Sequence, residues 1–379
     1  MRFDIFCHIV DNYGDAGVSL RLIKRLAHTH FSSSDHFTSS KDSFRLFCDQ
    51  TELIKKLAGE DTLRDLSAHG VEILDWNLAA KLTQEGSYPD VVIETFSCTI
   101  PEVYNGVIRE KKPPLIVNVE YLSAEPWTVE AHGLPSIPGN TWDLPRYFYY
   151  PGFTPNSGGL LQGKSSFTTE ESNYVPRSLE QIYKEVRQTE DVKKVLIFTY
   201  GGDKLIRLLN QMRESKLPLD LLICDEPSIK TVETWLGEYL DQLRQRDSLR
   251  CIGMPFVCQD DFDWLLNKTD LNIVRGEDSF VRAQWAGKPF IWDIYPQDVD
   301  AHLIKLDAFL DLYLKDANMD TKRAVLESMY WQDFSNWWPQ LRKMSLHATM
   351  WRQDLIKSQI NGDLAIRLRD FIHDLLKKG

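Results

Sequence analysis

Several signatures that would assign this sequence to a familiar class of protein are missing from it. No apolar run approaches the roughly 20 residues that a membrane-spanning helix needs, and the N-terminal MRFDIF lacks the pattern of a signal peptide. The six cysteines form neither a C-x-x-C pair nor a zinc-binding spacing, which favours reduced thiols in a cytoplasmic protein. The net charge of −11 argues against a DNA-binding or other general nucleic-acid-binding protein.

The usual nucleotide motifs are also absent. The first strand-like run is followed by NYGDAG, which has Gly14 and Gly17 but not the three glycines of a dinucleotide-binding G-x-G-x-x-G. The sequence contains no P-loop and no D-x-D motif where a metal-dependent sugar transferase would have one, since the DFD at 261–263 fits a helix. We therefore expect no nicotinamide cofactor and no metal ion.

Short continuous apolar runs alternate with helical patterns in two successive series. The predicted strands of the first series are 2–10, 44–49, 71–76, 90–96 and 114–122, and those of the second are 193–202, 219–226, 249–257, 271–276 and 288–295. Buried strands separated by helices are typical of parallel sheets covered on both faces. The pattern predicts an α/β protein with two Rossmann-like, doubly wound domains.

The predicted boundaries place residues 1–184 in the first domain and residues 185–360 in the second, with the C-terminal helix 361–379 packing back on the first. A helix is expected near 17–30, directly after the glycine-containing loop. Residues 123–190 are rich in Pro, Gly, Tyr and Ser, and we interpret them as long loops with a short helix at 177–188.

The loop after the first strand carries two aspartates, Asp11 and Asp15, at a place where ligands usually bind in such sheets. A helix N-terminus favours an anion, so carboxylates there are not suited to holding a phosphate. The loop therefore favours a ligand other than a phosphate. The alternative is ordinary loop and N-cap chemistry, in which aspartate is common.

The second half offers a better site for a nucleotide. The stretch IVRGEDSF predicts a strand, a turn and a helix that Ser279 or Asp278 caps, with free N–H groups for a pyrophosphate. Nearby, Phe256 and Phe262 flank Gln259, which is a plausible base-binding set, and Tyr200 follows the first strand of this domain. Each of these residues also fits a purely structural role. Two Rossmann-like domains that carry such loops and face each other across a cleft are typical of GT-B glycosyltransferases.

Two long stretches of the sequence make this comparison more specific. FDIFCHIVDNYGDAGVSLRL at 3–22 and VRGEDSFVRAQWAGKPFIWDIYPQDVDAHLIKLDAFL at 274–310 closely resemble the bacterial EarP family. Members of that family are protein-arginine rhamnosyltransferases that modify elongation factor P. The resemblance implies a GT-B fold, dTDP-β-L-rhamnose as the donor, inversion at the anomeric carbon, and an arginine of elongation factor P as the acceptor. Residues 123–176 would face the acceptor, although no motif aligns there.

The resemblance also implies roles for individual residues. The catalytic residues would be Asp11, Asp15 and the acidic pyrophosphate-loop residue Glu277. The donor contacts would be Tyr13, Gly14, Phe198, Tyr200, Phe256, Gln259, Phe262, Arg275, Glu277, Asp278 and Ser279.

An arginine acceptor explains why two carboxylates stand in the first loop. A guanidinium is cationic and its lone pair is delocalised, so it must be oriented and must give up a proton as it attacks a sugar carbon. One carboxylate can clamp it while the other accepts the proton, and we favour Asp15 as the base. Backbone N–H groups and Arg275 or Arg282 would hold the charge of the leaving dTDP. The alternatives are a GT-B transferase with a saccharide or lipid acceptor, and a non-catalytic protein that binds a nucleotide sugar or the factor.

Overall fold

The computed structural model describes residues 1–29, 42–136, 144–163, 175–240, 243–297, 300–335 and 337–378. Within them the chain divides into two compact units: unit 1 comprises Met1–Gln162 and Lys357–Gly379, and unit 2 comprises Gly163–Ile356. The predicted boundary after residue 184 therefore lies inside unit 2, and the chain returns to unit 1 at Lys357 rather than at residue 361.

Unit 1 is built on a six-stranded sheet in the order β3-β2-β1-β4-β5-β6, and all its neighbouring strands are parallel. Its strands are β1 (Arg2–Cys7), β2 (Ser43–Cys48), β3 (Val71–Asp75), β4 (Val91–Thr95), β5 (Leu115–Val119) and β6 (Arg146–Tyr149). Its helices are α1 (Asn12–His28), α2 (Thr51–Ala68), α3 (Leu78–Gln84), α4 (Glu102–Lys111), α5 (Pro126–Ala131) and α14 (Leu364–Lys378).

The sheet of unit 1 has a separate apolar core on each face. Residues of α1, α2 and α14 join one core, and residues of α3 and α4 join the other. The side chains of β1 alternate between them: Phe3 and Ile5 lie in the first core, and Phe6 lies in the second. This alternation explains why the strand is a continuous apolar run in the sequence.

Unit 2 repeats this architecture with one difference. Its sheet has the order β12-β11-β7-β8-β10-β9, and the edge strand β9 pairs antiparallel with β10. Its strands are β7 (Lys193–Ile197), β8 (Leu219–Ile223), β9 (Arg244–Arg246), β10 (Leu249–Gly253), β11 (Leu271–Arg275) and β12 (Phe290–Asp293). Its helices are α6 (Glu180–Tyr183), α7 (Asp203–Glu214), α8 (Glu226–Leu236), α9 (Gln259–Lys268), α10 (Asp278–Ala286), α11 (Ala301–Tyr313) and α12 (Met319–Met329), and α13 (Trp337–Ser358) ends at the return to unit 1.

The sequence prediction of two doubly wound sheets is thus confirmed, and all ten predicted strands are present. Three details are wrong. Helix α1 begins at Asn12 rather than near residue 17. The region 123–190, interpreted as loops with one short helix at 177–188, also contains α5 and β6, and its helix α6 is confined to Glu180–Tyr183. Residues 137–143 and 164–174 of that region lie outside the described parts of the chain.

Each sheet has a topological switch point, at which the chain begins to add parallel strands on the opposite side of its first strand. This point lies between β1 and β4 in unit 1 and between β7 and β11 in unit 2. Ligands of open α/β sheets bind beyond the carboxyl ends of the strands at such a point. Among the helices in the described parts of the chain, none combines the length and the apolar character needed to span a bilayer.

Candidate active site

Asp15 is a buried carboxylate at the carboxyl edge of the unit 1 sheet. Its side chain is 2% exposed, and Oδ2 accepts hydrogen bonds from the backbone N–H groups of Val10 at 2.8 Å and Asp11 at 2.9 Å. These bonds close the turn between β1 and α1. The other carboxylate oxygen, Oδ1, lies 3.5 Å from the hydroxyl of Tyr121. The Asp15 carboxylate is therefore held in one orientation by main-chain donors.

Asp11 lies at the N-cap position of α1, but its side chain makes no capping hydrogen bond there among the described residues. It packs instead against Gly14: a Cβ atom added to Gly14 would stand 2.7 Å from Oδ2 of Asp11. Tyr13 is partly buried against the core of unit 1. The predicted N-cap alternative for Asp11 is thus correct in position only, since its carboxylate does not cap the helix.

A second group of polar and aromatic side chains surrounds the ends of β4 and β5. Phe96 and Ser97 both have left-handed backbone conformations, with φ of 58° and 52°, a state that costs free energy for residues other than glycine and is common at functional sites. Phe96 stacks on Tyr121 with ring centroids 4.3 Å apart. Glu120 accepts hydrogen bonds from Ser97 Oγ at 2.7 Å and Asn118 Nδ2 at 2.6 Å.

This group was missed by the sequence prediction. Glu120 and Tyr121 directly follow a predicted strand, so their position was a usable signal, but a tyrosine after an apolar run resembles core. With Asp11 and Asp15 on the neighbouring β1 loop, the carboxyl edge of the unit 1 sheet is acidic and aromatic. Such an edge is suited to a planar cation, because guanidinium groups pair with carboxylates and stack on rings.

In unit 2, Arg275 is the central side chain of the carboxyl edge. It is 6% exposed, its guanidinium lies 4.9 Å from the ring centroid of Phe198 and 4.7 Å from that of Tyr200, and Nη2 pairs with Asp225 Oδ2 at 3.0 Å. Burial raises the pKa of the Asp225 carboxyl to about 6, although Arg275 opposes this rise. Arg275 thus joins the ends of β7, β8 and β11.

The loop after β7 presents backbone rather than side chain. Gly201 and Gly202 have φ of 73° and 81°, and a Cβ atom on Gly201 would clash with Pro227 O at 2.7 Å. The turn therefore requires glycine at residue 201. The N–H of Tyr200 donates to Asp293 at 2.9 Å. This turn leads directly into α7, whose N-terminus is a suitable position for a phosphate.

The RGEDS segment begins α10, with Glu277 at the N-cap position. The prediction that Ser279 or Asp278 caps this helix is wrong: Asp278 Oδ2 accepts from Arg282 Nη1 at 3.1 Å, and Ser279 donates to the carbonyl of Arg275. Glu277 pairs with Lys305 Nζ at 2.6 Å. Lys305, which the sequence did not single out, brings a cation to the N-terminus of α10.

The predicted base-binding residues lie beside this helix. Phe256 is 40% exposed in the loop between β10 and α9. Gln259 is buried, and its Nε2 donates to Asp278 Oδ2 at 3.3 Å. Phe262 is also buried and packs edge-on against Phe198, with centroids 5.3 Å apart. Of the two phenylalanines that flank Gln259, Phe256 is accordingly the exposed one.

Two further side chains change the expected picture of this edge. Tyr295, 48% exposed after β12, packs edge-on against Tyr200 at 5.4 Å and was not predicted. Arg282 pairs with Asp263 at 2.5 Å as well as with Asp278, so it ties α9 to α10. Arg275 and Arg282 are both 6% exposed and both paired with carboxylates. Arg275 differs in lying at the strand ends, beside the ring of Tyr200.

Comparison with known proteins identifies the family. Residues 3–373 match the family described as "Elongation-Factor P (EF-P) rhamnosyltransferase EarP". A protein-arginine rhamnosyltransferase of Pseudomonas putida is 34% identical over 392 residues, covering 99% of both chains. Its counterpart in Pseudomonas aeruginosa is 37% identical over 318 residues, covering 82% of this chain and 81% of that one.

Solved structures agree with this assignment. A structure described as "Structural basis for EarP-mediated arginine glycosylation of translation elongation factor EF-P" has a TM-score of 0.62 and 26% identity, covering 98% of this chain and 99% of that one. MurG of Acinetobacter baumannii has a TM-score of 0.51 at 12% identity, covering 100% and 99%, which supports the GT-B fold alone. The predicted fold class is confirmed, and the chain belongs to the EarP family of protein-arginine rhamnosyltransferases.

Proposed function

We propose that this protein transfers L-rhamnose from dTDP-β-L-rhamnose to an arginine side chain of elongation factor P, with inversion at the anomeric carbon. The observation that carries the proposal is the fixed carboxylate of Asp15 beside Asp11, at the carboxyl end of β1. The family match and the EF-P named in the description of the related structure support the acceptor. Because the proposed acceptor is a translation factor, we expect the reaction to occur in the cytoplasm.

The reaction is a single displacement in which the acceptor arginine is the nucleophile. A nitrogen of the guanidinium forms a bond to the anomeric carbon, the bond from that carbon to the phosphate oxygen breaks, and dTDP leaves with the electron pair. The attacking nitrogen gives its proton to Asp15. Asp15 is suited to this task because two backbone N–H groups fix Oδ2. Oδ1, which lies 3.5 Å from the Tyr121 hydroxyl, is the oxygen that would meet the acceptor.

Asp11 and Glu120 supply the remaining negative charge for the acceptor cation. In the proposed complex Asp11 accepts hydrogen bonds from the guanidinium and sets its plane, since a planar fork matches a carboxylate in bidentate geometry. The exposed face of Tyr121, stacked on Phe96, offers a ring on which the guanidinium can lie. Orientation of the nitrogen contributes as much to this reaction as its deprotonation.

The donor would be held by unit 2. Phe256 stacks on thymine, and Gln259 uses its carbonyl oxygen to accept the thymine N–H, because its amide nitrogen already donates to Asp278. The N-termini of α7 and α10 offer backbone N–H groups to the diphosphate. Arg275 and Lys305 add positive charge, and Glu277 positions Lys305. Leaving-group charge is thus stabilised without a metal ion in this proposal.

Intact-mass analysis of elongation factor P, incubated with dTDP-rhamnose and the protein, tests the proposal. We expect a gain of one deoxyhexose with the wild-type protein and with Asp75→Asn, a control carboxylate at the end of the edge strand β3, two strands from β1. Asp15→Asn should give little or no gain. Binding of the factor without any gain would identify a non-catalytic binding protein, and transfer to a saccharide in place of the factor would identify a different acceptor.

A further inference from the structure

A cluster far from the candidate active site combines two histidines and an aspartate. His28 is the last residue of α1, Asp65 lies in the last turn of α2, and His69 is the C-cap residue of α2. One potential metal-ligand atom from each lies within 4.8 Å of the other two, and this is the only such group of three among the residues that the structure describes. The two imidazole rings have centroids 4.2 Å apart.

The hydrogen bonds of both histidines are those of metal ligands. His28 Nδ1 lies 2.6 Å from the carbonyl oxygen of Lys24. His69 Nδ1 lies 2.8 Å from the carbonyl oxygen of Asp65 and 3.4 Å from its carboxylate Oδ1. A carbonyl can only accept, so each Nδ1 carries the proton, and Nε2 of the neutral ring carries a lone pair. Metal-bound histidines nearly always donate their other ring N–H in this way.

The contact between His28 and Asp65 places a ring nitrogen beside a buried carboxylate oxygen. His28 Nε2 lies 3.0 Å from Asp65 Oδ2, and that oxygen has no hydrogen-bond partner among the described residues. If the ring is neutral, no proton joins the two atoms, and a cation bound by both would stabilise the contact. Two ligands of one tetrahedral zinc ion are roughly 3.4 Å apart, because each metal–ligand bond is about 2.1 Å long. The observed spacing is close to that of two ligands sharing one ion.

The surrounding electrostatics also favour a cation. The C-terminal ends of α1 and α2 meet at the cluster, and the carbonyl end of a helix carries partial negative charge. At α1 part of this charge is met by Arg369, whose Nη1 donates to the carbonyl oxygen of Leu26 at 2.7 Å. The basic side chains of the last turns of α1 are engaged elsewhere: Arg25 pairs with Asp363 at 2.6 Å, and Lys24 donates to Thr62 at 3.4 Å.

We propose that His28, Asp65 and His69 bind a divalent transition-metal ion of the zinc class, with water completing its coordination. Imidazole nitrogens with one carboxylate are typical ligands of such ions. The ion would link the ends of α1 and α2 and so stabilise unit 1. Helix α1 spans 17 residues, which places His28 about 25 Å along the helix from Asp11. The site is therefore structural and independent of the proposed transfer reaction.

The experiment uses the full chain without an affinity tag, stripped with EDTA and dialysed. Calorimetry with Zn²⁺ should show one saturable equivalent, and Co²⁺ should give visible absorption bands that Zn²⁺ removes. Each of His28→Gln, Asp65→Asn and His69→Gln should weaken Zn²⁺ binding at least tenfold. His373→Gln, a half-buried histidine of α14 outside the cluster, should bind as the wild type does.

Thermal melting followed by circular dichroism provides a second readout. Zn²⁺ should raise the melting temperature of the wild type and of His373→Gln, and EDTA should reverse the rise. At the same Zn²⁺ concentration the three ligand variants should show a smaller rise. Rhamnose transfer should persist in EDTA. Wild-type protein that binds no Zn²⁺, or ligand variants that bind it as tightly as the wild type, would overturn the proposal and indicate an ordinary imidazolium–carboxylate pair.

Discussion

The carboxylate of Asp15 accepts the backbone N–H of Asp11 at 2.9 Å. The two aspartates that the proposed reaction requires are therefore not equivalent, because the side chain of one holds the main chain of the other. Asp15 is almost fully buried, and Asp11 is partly exposed and lies against Gly14. This arrangement supports Asp15 as the fixed base and Asp11 as the residue that meets the incoming cation.

Replacements of Asp15 should separate its structural role from its chemical role. Asp15→Asn keeps an oxygen that can accept the N–H groups of Val10 and Asp11, whereas Asp15→Ala leaves both donors unsatisfied. We expect both variants to lose transfer by a factor of about 10² to 10⁴, the usual contribution of a general base. Only Asp15→Ala should also lose stability, by about 1–3 kcal/mol. Urea denaturation measures the change in stability, and calorimetry with dTDP measures the donor affinity. Normal transfer by Asp15→Asn would exclude Asp15 as the base.

Gly14 should be required for the position of Asp11. A methyl group at residue 14 would stand 2.7 Å from Asp11 Oδ2 and push the carboxylate away, so Gly14→Ala should slow transfer at least tenfold. The matched control is Gly106→Ala in α4, where an added Cβ has no atom within 4 Å. That change should leave transfer unchanged and stabilise the helix by about 0.5–1 kcal/mol. Equal rates for the two variants would show that the contact is unimportant.

Phe256→Ala should weaken dTDP binding by about 1–3 kcal/mol, the usual loss when a base–aromatic stack is removed. Tyr239→Ala provides the control, because Tyr239 is another exposed aromatic residue of unit 2, at 78% exposure. Calorimetry with dTDP alone is sufficient. An unchanged affinity in Phe256→Ala would mean that thymine stacks on another ring.

The raised pKa of Asp225 predicts a pH-dependent stability. Its value of about 6 in the folded protein lies above the ordinary 3.8, so the folded state takes up a proton near pH 6, where the unfolded state does not. Stability from this carboxyl is therefore gained as the pH falls from 7 to 5, by roughly 1.3 kcal/mol, and lost as the pH rises again.

Asp225→Asn removes this proton uptake. The free energy of unfolding of the wild type, minus that of Asp225→Asn, should be larger at pH 5 than at pH 7 by that amount in urea titrations. A difference that does not change with pH would show that Asp225 stays ionised beside Arg275 over this range.

The features that were predicted correctly are those that follow from a local sequence pattern. Buried parallel strands appear as continuous apolar runs, and both sheets were found that way. Strand β9, with the sequence RQR, was not predicted, because an edge strand can be polar and then forms no apolar run. The start of α1 was displaced because Gly14 and Gly17 resemble a turn, although both lie inside the helix.

The features that were missed depend on contacts between distant parts of the chain. Asp11 and Asp15 could be located because they follow β1 directly. No local pattern pairs Arg275 with Asp225 or Glu277 with Lys305, and no local pattern stacks Tyr121 on Phe96. Which residues become neighbours depends on the order of the strands in the sheet. No local sequence pattern specifies that order.

The central claim is that paired carboxylates clamp and deprotonate a planar guanidinium, and its most direct test changes the acceptor. Intact-mass analysis of elongation factor P, with its acceptor arginine replaced by lysine, should show no added deoxyhexose beside a fully modified wild-type factor. A lysine ammonium keeps the charge but has no planar fork for Asp11 to hold, so its nitrogen would not be aligned with the anomeric carbon. Efficient rhamnosylation of the lysine variant would contradict the account and leave the aspartates as simple bases.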